Sequence, residues 1–109
     1  MTHVASATGT LKVGLFVRLE AKRGKEDEVL AFLQQGLEMA NQETTTPLWF
    51  ALRLGPTTFA IFDSFTDESG RKAHLTGPIA QALMAKAPTL LSAPPTIESA
   101  DVIGAKLPG

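Results

Sequence analysis

The sequence predicts an α+β fold of order β-α-β-β-α-β, with a four-stranded antiparallel sheet carrying its helices on one face. Three observations carry that expectation. Residues alternate apolar and polar, as in strands, on either side of one long stretch with apolar residues at helical spacing. Two strand-like segments meet at Gly55-Pro56-Thr57, a connection short enough for an antiparallel hairpin. A second helical stretch, broken at Gly77-Pro78, precedes a last alternating segment, so the second helix is split in two.

At 109 residues the chain is read as one domain over residues 11–109, after a disordered lead-in at 1–10. A net charge of −1 with interspersed signs argues against nucleic-acid and anionic-membrane partners. No apolar run has the length of a membrane span. The opening MTHVASATGT lacks the charged and apolar regions of a secretory signal. Without cysteine there is neither a disulfide framework nor a thiolate metal site, and a cytoplasmic location is expected. Two histidines make a multi-histidine metal site improbable, so the metal expectation is none.

Leu11 to Glu20 reads as a strand with Leu11, Val13, Leu15, Val17 and Leu19 on one face. Lys25 to about Gln42 reads as a helix. Glu26, Asp27 and Glu28 suit the positive end of its dipole, and Val29, Leu30, Phe32, Leu33, Leu37 and Ala40 form its stripe. Gly36 costs that helix about 1 kcal/mol against alanine and suggests close packing on the sheet. Asn41 to Pro47 reads as a polar loop.

Leu48–Leu54 and Thr58–Phe65 form the hairpin. With a two-residue loop, Pro56-Thr57, Phe50 opposes Asp63 and Leu52 opposes Ile61; a three-residue loop shifts every pair by one. Asp67 to Thr76 is a helix capped by Thr66 or Asp67, with Asp67–Arg71 and Glu68–Lys72 as i,i+4 pairs. Pro78 starts the next helix, Ile79, Ala82, Leu83 and Ala87 line its inner face, and Pro88 ends it. Thr89 to Pro95 connects to a last strand from Thr96 to about Ala105.

The strand Phe59–Phe65 is apolar on both faces, so both must be covered, yet it carries a carboxylate, Asp63, near its exit. His74 arrives one helix later. Together these make the exit of the strand the expected place for a site.

The order is the ferredoxin-like arrangement. The segment FAIFDSFTDESGRKAHL resembles the antibiotic biosynthesis monooxygenase-like family of dimeric α+β barrels. That family ends its third strand with aromatic–x–acid–x–aromatic and places a histidine about nine residues after the last aromatic. Here Phe62 or Ile61, Asp63, Phe65 and His74 match it, and the resemblance spans roughly Leu11 to Ile103. The chain departs where members often carry tryptophan at the Phe65 position and glutamate at the Asp63 position, and it has no tyrosine.

The resemblance implies a homodimer joined sheet to sheet. It also implies cofactor-free oxygenation, by O2, of a small reduced aromatic such as a quinol, anthrone or polyketide. His74 is then the general base, since imidazole titrates near neutrality. Asp63 orients it or binds a substrate hydroxyl. The bland alternatives are a half-exposed helix histidine bonded to the sheet edge and a strand-end carboxylate that caps the next helix. Phe16 (or Val17), Phe50, Phe65 and Leu83 are expected to wall a substrate pocket between helices and sheet. Trp49, Arg53 and Phe62 are expected at the dimer interface. A non-catalytic ligand-binding module on the same fold is the second hypothesis. Haem degradation is the least favoured.

Overall fold

The computed structural model describes residues 11–108, and the expected lead-in at 1–10 lies outside them. The elements are β1 (Val13–Glu20), α1 (Glu26–Ala40), β2 (Leu48–Arg53), β3 (Thr58–Phe65), α2 (Glu68–Leu75), α3 (Pro78–Leu90) and β4 (Thr96–Asp101). They form one antiparallel sheet in the order β2-β3-β1-β4. This is the expected ferredoxin-like α+β fold, with β2 and β4 as its edges. No helix among the described residues is long and apolar enough to cross a membrane.

Directly paired residues of an antiparallel sheet share a face. Leu15, Val17 and Leu19 pair with Asp63, Ile61 and Phe59, and this face packs against the helices. Val29, Phe32 and Leu33 of α1 and Leu83, Ala87 and Leu90 of α3 complete the core there. Gly14, Phe16 and Arg18 point to the opposite, uncovered face, with Ser64, Phe62 and Ala60 as their partners.

The hairpin adopts the three-residue loop. The Leu54 amide donates to the Thr58 carbonyl at 2.8 Å, and Arg53 pairs with Phe59, Ala51 with Ile61 and Trp49 with Asp63. The two-residue pairing of Phe50 with Asp63 and Leu52 with Ile61 is therefore corrected by one position, and every side chain of β2 changes face. Trp49, Ala51 and Arg53 lie on the helix side. Phe50 and Leu52 lie on the open side, 52% and 39% exposed.

Two further differences concern the helices. Asp67 caps α2, its Oδ1 accepting from the Gly70 amide at 2.9 Å, and Arg71 pairs with Glu68 one turn back rather than with Asp67. Pro88 does not end α3, which runs on to Leu90. A proline this close to a C-terminus forfeits little ladder, and burying Ala87 and Leu90 holds the last turn in place.

Candidate functional site

The exit of β3, the middle of α2 and the loop between α1 and β2 converge on one imidazole. His74 Nε2 stands 2.9 Å from Asp63 Oδ2, and its Nδ1 stands 2.9 Å from Glu43 Oε1. Thr46 Oγ1 donates to the same Glu43 oxygen at 2.6 Å. The Phe65 ring tilts against the imidazole with centroids 5.4 Å apart.

Local sequence explains the approach. Antiparallel pairing of β2 with β3 brings the residues just before β2 beside the end of β3. Gly70 lets that loop come down onto α2, since a Cβ there would lie 3.1 Å from the Thr45 carbonyl oxygen.

Asp63 is fully buried and His74 is 7% exposed, so the cluster is nearly dry. In such surroundings a lone charge is costly and a paired one is tolerated. Burial by itself lowers the pKa of the His74 imidazole. Contact with Asp63 and then Glu43, through hydrogen bonding and charge, outweighs burial and leaves it raised. Two carboxylates thus flank one imidazole.

The buried side-chain polar atoms without a hydrogen-bond partner, among the described residues, are Glu43 Oε2, both oxygens of Asp63 and Trp49 Nε1. Asp63 Oδ2 nevertheless faces His74 Nε2 at 2.9 Å as an ion pair. Trp49 stands opposite Asp63 on the same face of the β2–β3 pair.

Beside it, α1 leaves part of edge strand β2 uncovered. The resulting groove, about 370 Å³, is lined by Leu30, Leu33, Gln34 and Leu37 from α1, by the run from Trp49 to Arg53 of β2, with Phe50 and Leu52 of the open face included, and by Phe59. The indole lies over Gly36, where a Cβ would sit 3.3 Å from the ring, so Gly36 does mark close packing. The Arg53 guanidinium stacks on Phe59 at 4.8 Å and donates to the Gly55 and Pro56 carbonyls.

Of the residues singled out from sequence, Asp63, His74 and Phe65 do come together. Phe65 and Leu83 are buried on the helix side, whereas Phe16 and Phe50 are on the open side, so the four do not share one wall. Trp49 and Arg53 are on the helix side and Phe62 on the open side, so those three are also separated. Neither bland alternative fits: His74 is buried, and Asp67 rather than Asp63 caps α2. Glu43 and Thr46 were missed. Hairpin pairing, which carries the loop to the end of β3, was the signal that pointed to them.

NE2512, a protein of unknown function from Nitrosomonas europaea, is 56% identical in sequence. The match covers 92% of this chain and 97% of that one, with a TM-score of 0.89. The chain belongs to the NE2512 family. The fold of that family is shared at much lower identity by an antibiotic biosynthesis monooxygenase, 15% identical over 84% of this chain and 98% of that one, with a TM-score of 0.72. A protein of Chloroflexus aurantiacus provisionally named an antibiotic biosynthesis monooxygenase is 21% identical over 90% of this chain and 99% of its own, with a TM-score of 0.70. The NE2512 family therefore has the antibiotic biosynthesis monooxygenase-like fold. No model of a known protein family and no curated protein matches the sequence.

Proposed function

We propose that this protein is a cofactor-free monooxygenase of a small reduced aromatic, a quinol, anthrone or polyketide-like compound. The observation that carries the reading is the concentration of unpartnered buried polar atoms around Asp63, Glu43 and Trp49, next to an apolar groove of ring-binding size. The shared fold supports the reaction class by analogy.

In this mechanism the substrate supplies the electrons. A carbon acid such as the methylene of an anthrone loses a proton to the Asp63 carboxylate, and the carbanion adds O2 to give, after protonation, a hydroperoxide. The hydroperoxide then loses water and leaves a carbonyl. One methylene and one O2 thus become one carbonyl and one water, with both methylene hydrogens leaving in the water. Both ring nitrogens of His74 face carboxylates. In this proposal Asp63 accepts the proton, and His74, held between two carboxylates, acts as the positioning cation rather than as the base.

The protein works as a homodimer in this proposal. Its open sheet face, with Phe50, Leu52, Phe16 and Phe62, is apolar enough to need a cover, and a second copy supplies one.

A second reading has its own support. The seal around Asp63 and His74 suits an ion pair that ties α2 to β3, leaving the groove as the site of a non-catalytic ligand carrier. Oxygen-electrode assays of chelator-treated protein with a panel of quinols and anthrones separate the two. Uptake above the protein-free rate supports the enzyme; binding of the same compounds without uptake supports the carrier.

A further inference from the structure

We infer that the C-terminal arm, residues 103–108, pairs with the free edge of β2 in a second copy of this chain and closes the groove beside it. The inference goes beyond the reaction proposed above and rests only on the homodimer proposed with it.

The arm has nothing to bury in its own chain. The Val102 amide donates to the Lys12 carbonyl at 2.8 Å, and past that bond the chain leaves the sheet. Ile103 is 101% exposed, Gly104, Ala105 and Lys106 are exposed, and a Cβ at Gly104 would meet nothing within 4 Å. The sequence alternates as a strand does. Ile103, Ala105 and Leu107 share one face of an extended chain, Gly104 and Lys106 share the other, and Pro108 ends the ladder.

The edge of β2 is open to receive it. Leu54 bonds to Thr58, so Leu52 and Phe50 also bond to β3, and the backbone groups of Trp49, Ala51 and Arg53 point out of the sheet. No lysine or proline in β2 blunts this edge. The groove follows it, with Leu30 and Leu37 of α1 36% and 47% exposed alongside. The other edge, β4, carries Glu98 and Asp101 and is exposed at every residue but Ala100, so it has less to bury an arm against.

The occupant is a second copy because β1 and β3 separate β4 from β2. The arm leaves one edge of the sheet and the groove runs along the other. The faces also match. Ile97 and Ser99 of β4 pair with Val17 and Leu15, which face the helices, so Ile103 and Leu107 continue the helix side. In a sheet continued from one copy into the next, they meet the partner's helix side, where Leu30 and Leu37 line the groove. The stretch from Ile103 to Leu107 spans about 16 Å, close to the length of β2. The site of the proposed reaction is thus complete only in the pair.

The chain has no cysteine, so introduced thiols report this contact alone. Full-length Ala51→Cys and Ala105→Cys are to be mixed, treated with a short bismaleimide and run on denaturing gels, beside each variant by itself. We expect a covalent dimer in the mixture and little from either variant alone. In sedimentation equilibrium, Ile103→Asp should weaken the dimer about a hundredfold, since a buried isoleucine is worth about tenfold or more and a symmetric pair loses two. Ile103 is fully exposed in the single chain, so the melting temperature of the dissociated protein should not change.

A dimer unchanged by Ile103→Asp, or a mixture that cross-links no better than the single variants, overturns the inference and leaves the sheet-to-sheet pairing standing. A wild-type protein that stays monomeric at every concentration removes both. Undiminished oxygen uptake by an Ile103→Asp monomer keeps the reaction and overturns the closure of the groove.

Discussion

His74 Nδ1 sits 2.9 Å from Glu43 Oε1, a carboxylate 31 residues earlier in the chain, while Nε2 faces Asp63 on the other side. The imidazole is clamped between the strand exit and a loop. Its protonation state therefore affects both the stability of the fold and any chemistry at β3.

The clamp makes stability depend on pH with a definite sign. The folded pKa of His74 is raised above the ordinary value of about 6.5. Its contribution is fully present below that value and is lost as pH rises through the folded pKa. Denaturant melts from about pH 6 upward should show falling stability, and the slope should flatten in His74→Gln. A slope of the opposite sign in this window would refute the assignment.

Removing one member of a buried ion pair is more damaging than removing the partner that leaves a balanced pair. His74→Ala strands two carboxylates and should cost about 3–5 kcal/mol. Glu43→Gln leaves the Asp63–His74 pair intact and should cost clearly less. Equal losses in urea melts would mean that Glu43 is not an optional second anion.

Gly14 of β1 pairs with Ser64 of β3 and has no room for a side chain. A Cβ there would fall 2.9 Å from the Asp63 carbonyl oxygen, which is backbone and cannot turn away. Gly14→Ala should destabilise by about 1–3 kcal/mol, as overpacking does. A melting temperature equal to wild type would show that the sheet yields there at no cost.

Association should depend on Phe50 rather than on Trp49, because the three-residue turn puts Phe50 on the open face. Light scattering at micromolar concentration should give a dimer for wild type and Trp49→Phe. Phe50→Arg should give a monomer. A wild-type monomer that does not associate on raising the concentration would exclude the sheet-to-sheet pairing.

The element order was legible because alternation and helical spacing are written in the apolar residues themselves. Register was not, because Gly55-Pro56-Thr57 accommodates a two- or three-residue loop, and one step exchanges Trp49 for Phe50 on the helix face. Asp63 and His74 stood out as polar residues at the end of an apolar strand and on the helix after it. Glu43 did not, since a glutamate in a polar loop carries no period; only the course of the chain makes it a partner. Pro88 misled because its cost depends on distance from the helix end, which burial of Leu90 decides.

The central claim is that one oxygen atom passes from O2 into the product without a cofactor. Chelator-treated protein should be given an anthrone under heavy-isotope O2 and the product weighed by mass spectrometry. The account predicts one labelled oxygen in the new carbonyl, formed faster than without protein, with the rate lost in Asp63→Asn while its fold is kept. An unlabelled product, or a rate no greater than the protein-free control, would contradict it.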